Sequence, residues 1–244
     1  MDTRYFLLSG IMALVWPMIG ASMDVNADHT ATWKEEVLLH DGATIIAERH
    51  EIRAGRHEIG QSPPIKEHSI TFTPPGADRS ITWVDEYSKD IGHANFTLIA
   101  IHILKGKSYI VAEPYLCTAY NKWGRPNPPY ILFEYLDGAW RRISIEELPM
   151  EFRHVNVVVN TSREDDVKES GSKTGIVPIA SINKLNSSIK QVRYQTIIRS
   201  EIKNAGAGCP ELIRTEKGWE SPGGAKSPIP IKPSRSSTDI NTDN

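Results

Sequence analysis

Cysteine is scarce, no charge of one sign dominates, and no apolar run is long enough to cross a bilayer as a helix. The 244 residues hold 2 cysteines, too few for a thiolate metal cluster or a disulfide-knit miniprotein. Lys and Arg number 28 against 30 Asp and Glu, a net charge of −2 with scattered basic residues. That removes the electrostatic footprint of a nucleic-acid binder. The chain also lacks a Gly-x-Ser-x-Gly elbow, a phosphate-cradling loop and a dinucleotide fingerprint. Those absences argue against the hydrolase, nucleotidase and dehydrogenase classes built on them, and no cofactor is expected.

What is present begins at the N-terminus. After "MDTRY" the run Phe6 to Ala21 is uncharged for 16 residues, small residues follow at Gly20, Ala21 and Ser22, and the chain turns polar. Residues 1–22 read as a secretory signal, with cleavage near Ala21 or Ser22 and Ala27 as a later option. The run falls short of the ~20 residues that span a membrane, and Pro17 breaks its end. An uncleaved inner-membrane anchor is the alternative, because Asp2 weakens the basic n-region. Cys117 and Cys209 both lie in the exported part. In an oxidising compartment they are expected to pair, closing a loop of roughly 90 residues for about 4 kcal/mol in the chain-entropy model; the competing reading is two buried thiols.

Residues 33–160 read as successive strands. Asp41-Gly42 and Asp137-Gly138 are strong two-residue hairpin signals. The first sets Leu39 against Thr44 and Leu38 against Ile45, leaving apolar side chains on both faces, as if both were covered. The second sets Tyr135 against Trp140 and Glu134 against Arg141, an aromatic pair and an opposite-charge pair. Between them, "SITF" and "SITW" flank a Pro/Gly loop, and "FTLIAIHILKGKSYIVAEP" turns at Lys105-Gly106-Lys107. "TSREDDVKESGSKTG" is read as a polar loop. Ile179, Ile182, Leu185 and Ile189 are spaced for a helix, begun at Pro178 or capped by Ser181. Tyr194, Ile197 and Ile198 either continue that helix or break from it.

The tetrapeptide Arg-His-Glu-Ile occurs twice in "ERHEIRAGRHEIG", residues 48–60. A zincin site needs two histidines one helical turn apart; His50 and His57 are seven apart among glycines. A hairpin turning at Ala54-Gly55 accounts for the repeat better. It pairs Ile52 with His57 and His50 with Ile59 on one half-buried face, and leaves Arg49, Glu51 and Arg53 on a charged, solvated face. No metal is expected there. Lys173-Thr-Gly and Ser181-x-x-Lys184 match β-lactamase words in reversed order and at the wrong interval, so they carry no acyl-transfer site. "EDDVKE" reads as a solvated acidic stretch rather than a calcium loop.

Aromatic, amide and basic groups concentrate in "CTAYNKWGRPNPPY", residues 117–130. Constrained loops of that composition serve as binding surfaces, which makes Tyr120, Asn121, Trp123, Arg125 and Tyr130 the candidate binding residues. The competing reading is a long connection whose aromatics pack back onto the sheet. The stretches "WKEEVLLHDG", "SITFTPPG", "YNKWGRPNPPY" and "CPELIRTEKGWESPGGAKSP" resemble a family of exported bacterial proteins with no assigned function. The resemblance spans roughly Trp33 to Pro228. It implies an envelope or secreted protein and brings no catalytic residue.

The expected fold is α+β: antiparallel hairpin-rich β sheet over most of the chain, with one or two C-terminal helices packed on it. One domain occupies residues 30–220, preceded by the signal and followed by a Pro/Ser/Gly-rich tail, 221–244. The leading functional expectation is a non-enzymatic periplasmic or secreted module that binds an envelope protein or small ligand, with no nucleic acid and no membrane span after cleavage. The alternatives are an envelope hydrolase drawing an acid–base pair from His50, Glu51, His57 and His102, and a structural accessory without a ligand site.

Overall fold

Hairpins build the two main sheets of the computed structural model, which describes residues 29–55, 57, 61–161 and 164–222. Strands β1 (His29–Leu38), β2 (Thr44–Arg53), β3 (Ile65–Phe72) and β4 (Ile81–Asp85) form an antiparallel meander. Strands β5 (Phe96–Leu104) and β6 (Lys107–Pro114), helix α1 (Leu116–Lys122), then β7 (Ile131–Leu136) and β8 (Ala139–Ile143) make a second, four-stranded meander. Helix α2 (Glu164–Gly171), the two-residue β9 (Ile176–Val177) and helix α3 (Ile179–Ser187) follow, with β9 adding to the first sheet parallel to β1. A small hairpin, β10 (Ile213–Thr215) and β11 (Gly218–Glu220), ends the described chain. The antiparallel, mostly β architecture is the expected one. The proposed signal segment and the tail beyond Pro222 lie outside the described residues. Among the described residues no helix is long and apolar enough to cross a membrane.

The turn at Asp137-Gly138 has φ of +51° and +84°, as a two-residue hairpin of matching twist requires. It sets Tyr135 against Trp140 and Glu134 against Arg141, the expected register. The first hairpin differs. Its loop is three residues, His40 to Gly42, closed by the Leu39 N–H to the Ala43 carbonyl at 2.8 Å, and Leu38 pairs with Thr44. The extra residue slides the register by one, which exchanges the faces of one strand. Val37, Leu39, Ile45 and Ala47 are therefore all buried, and Leu38 and Ile46 are exposed. The hairpin expected to be apolar and covered on both faces buries its apolar groups on one.

The second correction concerns the repeat. β2 runs to Arg53 between β1 and β3, His50 opposite Thr32 and Ser69 and Ile52 opposite Thr30 and Glu67, so neither residue pairs across a turn at Ala54-Gly55. Of the supposed return arm, 56–60, only His57 is among the described residues. The two faces of β2 are inverted as well. Arg49, Glu51 and Arg53 are 1%, 1% and 6% exposed, whereas His50 points to solvent.

The sheets pack face to face. Val37, Ala47, Ile70, Phe72 and Trp83 of the first meet Phe96, Leu98, Ile101, Ile110 and Ile131 of the second. A bulge between Leu98 and Ala100 shifts the phase of β5, so Ile99 and Ala100 face the opposite side. That outer face is covered by the irregular segments 144–160 and 189–199, through Leu148, Phe152, Val155, Val159 and Ile197. The stretch "TSREDDVKESGSKTG" is not the expected loop: it carries α2, whose Val167 packs with Val158, Val177 and Ile182. A single apolar anchor in a polar run leaves little periodicity to read. α3 begins after Pro178 as expected, and Ser187 ends it; Val192–Tyr194 form one 3₁₀ turn, so Tyr194, Ile197 and Ile198 do not extend the helix.

Candidate binding groove

The expected disulfide is formed. Cys117 in α1 is bonded to Cys209, with their Cα atoms 5.1 Å apart, and it ties down a strap of chain, residues 200–212. Side chains of the 117–130 stretch hold the rest of the strap. Asn121 donates to the Pro210 carbonyl at 2.9 Å and accepts the Leu212 N–H at 2.9 Å. The Arg125 guanidinium donates to the carbonyls of Cys209 and Pro210 at 3.1 and 3.2 Å. Asn127 accepts the Ile202 N–H at 2.7 Å and donates to its carbonyl at 3.2 Å. The strap needs glycine at 206: φ is +70°, and a Cβ there would lie 2.3 Å from a ring carbon of Tyr120. Strap and α1 loop are one interlocked unit.

Between this unit and the sandwich runs a groove of about 680 Å³, within the size range of organic-ligand sites. The ends of β2, β5 and β6 supply Arg53, Thr97 and Glu113; the strap and the 189–194 turn close the other side. Glu113 and Arg193 form an ion pair at 3.0 Å, and Arg193 donates to the Tyr194 hydroxyl at 3.2 Å. Burial raises the Glu113 carboxyl above its usual range, opposed by the Arg193 charge, and burial pushes Tyr194 up to about 12. Arg53 is consumed by Glu51 at 2.6 Å, the Thr161 hydroxyl at 2.8 Å and the Pro63 carbonyl at 3.0 Å. Each charge in the groove thus has a partner within the protein. At the groove's edge Leu116 is 53% exposed with φ of +61°, a left-handed conformation that is strained for a branched residue.

Of the five candidate residues only Tyr120 lines the groove; it is buried, with the Arg125 guanidinium 4.9 Å from its ring centre. Asn121 and Arg125 are the strap's clamps. Trp123 packs on Phe96 at 4.8 Å and donates to Asn95 at 3.2 Å. Tyr130 is buried, donates to the Arg193 carbonyl at 3.3 Å and accepts the Ile198 N–H at 3.4 Å. The aromatics pack inward, while the amides and the guanidinium hold backbone.

The histidine pool does not converge. His50 lies on the solvent face of β2 and Glu51 on its buried face. His57 caps the Gly55 carbonyl at 3.0 Å. His102 is stacked on Phe152 with ring centres 4.5 Å apart. Two features went unread in the sequence. One is the buried His68–Asp85 pair, 3.3 Å apart across β3 and β4, whose carboxylate also accepts the Phe96 N–H at 2.6 Å. The other is the Glu113–Arg193–Tyr194 group, assembled from residues 80 apart. Period-two pairing of "SITF" with "SITW" could have found the first; nothing local announces the second. Among the described residues no three His, Cys, Asp or Glu side chains are placed to hold a metal ion. Comparisons with family models, curated proteins and solved structures return no match.

Proposed function

We propose that the protein is an exported, non-enzymatic binding module of the bacterial envelope that holds a small organic ligand in the groove beneath the strap. The observation that carries this reading is the groove itself, a concavity of about 680 Å³ walled by a strap that the Cys117–Cys209 bond fixes in place. A ready-made wall lowers the ordering cost of binding. Because the groove's charges are paired internally, its occupant is an uncharged molecule with an apolar part and a few hydrogen-bonding groups, not a polyanion. The disulfide supports an oxidising compartment, and the uncharged run Phe6 to Ala21 followed by small residues supports export.

The test is native mass spectrometry and thermal unfolding of the protein equilibrated with fractionated envelope extract, beside an Ala205→Trp variant that fills the groove. A ligand that adds mass and raises Tm in the wild type and does neither in the variant is the expected result. A bound molecule retained by Ala205→Trp, or no adduct from any fraction, overturns the reading.

A further inference from the structure

His102 sits in the seam between the second sheet and its covering layer, and nothing in the binding reading uses it. Its ring is 1% exposed and lies flat on Phe152. Nε2 is 2.9 Å from the His154 carbonyl; a carbonyl only accepts, so Nε2 carries the proton and Nδ1 is a bare lone pair. That Nδ1 is buried without a partner, and so is Nδ1 of His40. Both rings line a cavity of about 270 Å³ with His154, Asn156 and Gln195.

The groups facing His102 are Tyr109, its pair on β6, which bonds the Glu134 carboxylate, His40 from the β1–β2 turn, and His154 and Arg199 from the covering layer; burial first, then His40, His154 and Arg199, oppose a positive charge on it. Glu36 of β1 is the one carboxylate among the described residues that line the cavity, and it already accepts the Ile179 N–H at 3.3 Å. A proton added at Nδ1 has no acceptor among the protein groups around it, and it would be buried among cationic or titratable neighbours.

The covering layer is joined to the groove at the same point. The Val155 N–H bonds the Gln195 carbonyl at 3.3 Å, the Ile197 N–H bonds the Arg153 carbonyl at 2.8 Å, and His154 bridges to Thr196. The next residues back along the chain, Arg193 and Tyr194, are groove wall. We propose that the His40–His102–His154 cluster is an acid-sensitive latch: protonation of His102 loosens segments 153–156 and 193–199 from the sheet and lets the groove release its contents. The release rests on the groove reading; the loosening does not.

Hydrogen exchange followed by mass spectrometry, at about pH 7 and about pH 5 and corrected for intrinsic exchange, reads the latch without any ligand. Protection over 153–159 and 193–199 should fall by about tenfold more than over β5–β8 on acidification, and this excess should vanish in His102→Phe, which keeps the stack on Phe152. Should that variant not fold, an NMR titration of the wild-type His102 imidazole decides, since the loosening must follow its protonation. Equal loss in sheet and covering layer, loss that persists in His102→Phe, or protonation of His102 with unchanged protection each overturns the latch. Ligand retention at the two pH values, followed by native mass spectrometry, is a separate readout. A groove that binds nothing would leave the exchange result standing.

Discussion

The second sheet and the layer that covers it bury comparable apolar side chains, yet their backbones are satisfied by different means. In β5–β8 main chain bonds main chain, strand to neighbouring strand. Among the described residues the segment 156–161 has no strand partner. Glu35 accepts the Val158 N–H at 2.9 Å, Arg49 donates to the Val158 carbonyl at 3.1 Å, and Asn186 accepts the Val159 N–H at 3.0 Å and donates to the Val157 carbonyl at 2.8 Å. Asn156 caps the edge of β5 by accepting the Ile101 N–H at 3.0 Å and donating to its carbonyl at 2.6 Å. Buried polar groups need partners of some kind, and here ionisable side chains take the place of a missing strand. That is why the charged face of β2 points inward.

The contrast can be broken most severely at Arg49. Arg49→Leu strands the Glu35 carboxyl, which is wholly buried and already raised by that burial, and leaves the Val158 carbonyl unpaired. Denaturant unfolding should show a loss of about 3–5 kcal/mol, and Glu35→Gln in the same chain should restore part of it. Asn156→Leu comes next, stranding both main-chain groups of Ile101 for about 3 kcal/mol. Its exchange protection should fall in the covering layer and at the edge of β5 while β7 and β8 keep theirs.

Acid gives an effect of similar size at the seam between the two. Burial lowers His102 from 6.5 to about 4, so the unfolded chain takes up this proton more readily than the folded one. The contribution is intact above pH 6.5 and is lost as pH falls toward about 4, amounting to about 3 kcal/mol. The difference between wild-type and His102→Phe stability, followed from neutral to acid pH, isolates it from the carboxylates. The smallest effect belongs to the meander. Glu134 takes hydrogen bonds from Lys107, Tyr109 and Arg141, but both cations are about half exposed. Lys107→Ala should therefore cost under about 1 kcal/mol by thermal unfolding, and a cost as large as that of Asn156→Leu would erase the distinction.

The same contrast sets what could be read from the chain. At Asp137-Gly138 the turn residues and the pairs they create are sequence neighbours, and the register was legible; at Lys105-Gly106-Lys107 the turn was legible, but Lys107 already pairs with Leu104. Asp41-Gly42 misled by one residue, because a glycine at φ +87° closes a three-residue loop as readily as a two-residue one. Arg49 looked like a surface residue because its carbonyl partner, Val158, lies 109 residues away. The candidate loop drew attention through its composition, yet the backbone that Asn121 and Arg125 bind is 81 to 91 residues distant. Local chemistry announces local partners; distant ones leave no mark on either stretch alone.

The Cys117–Cys209 bond also sets the path that tension takes through the molecule. If the chain were drawn out by its two ends, force would pass from residue 117 to residue 209 through sulfur and skip everything between them. β7, β8, both later helices, the covering layer and the Arg193–Tyr194 side of the groove all fall inside that covalent ring. Strands β1–β6 and the chain after Cys209, including the last three strap residues and the β10–β11 hairpin, would bear the load. Stretching would strip that scaffold away while the ringed part, with strap residues 200–209, stayed slack.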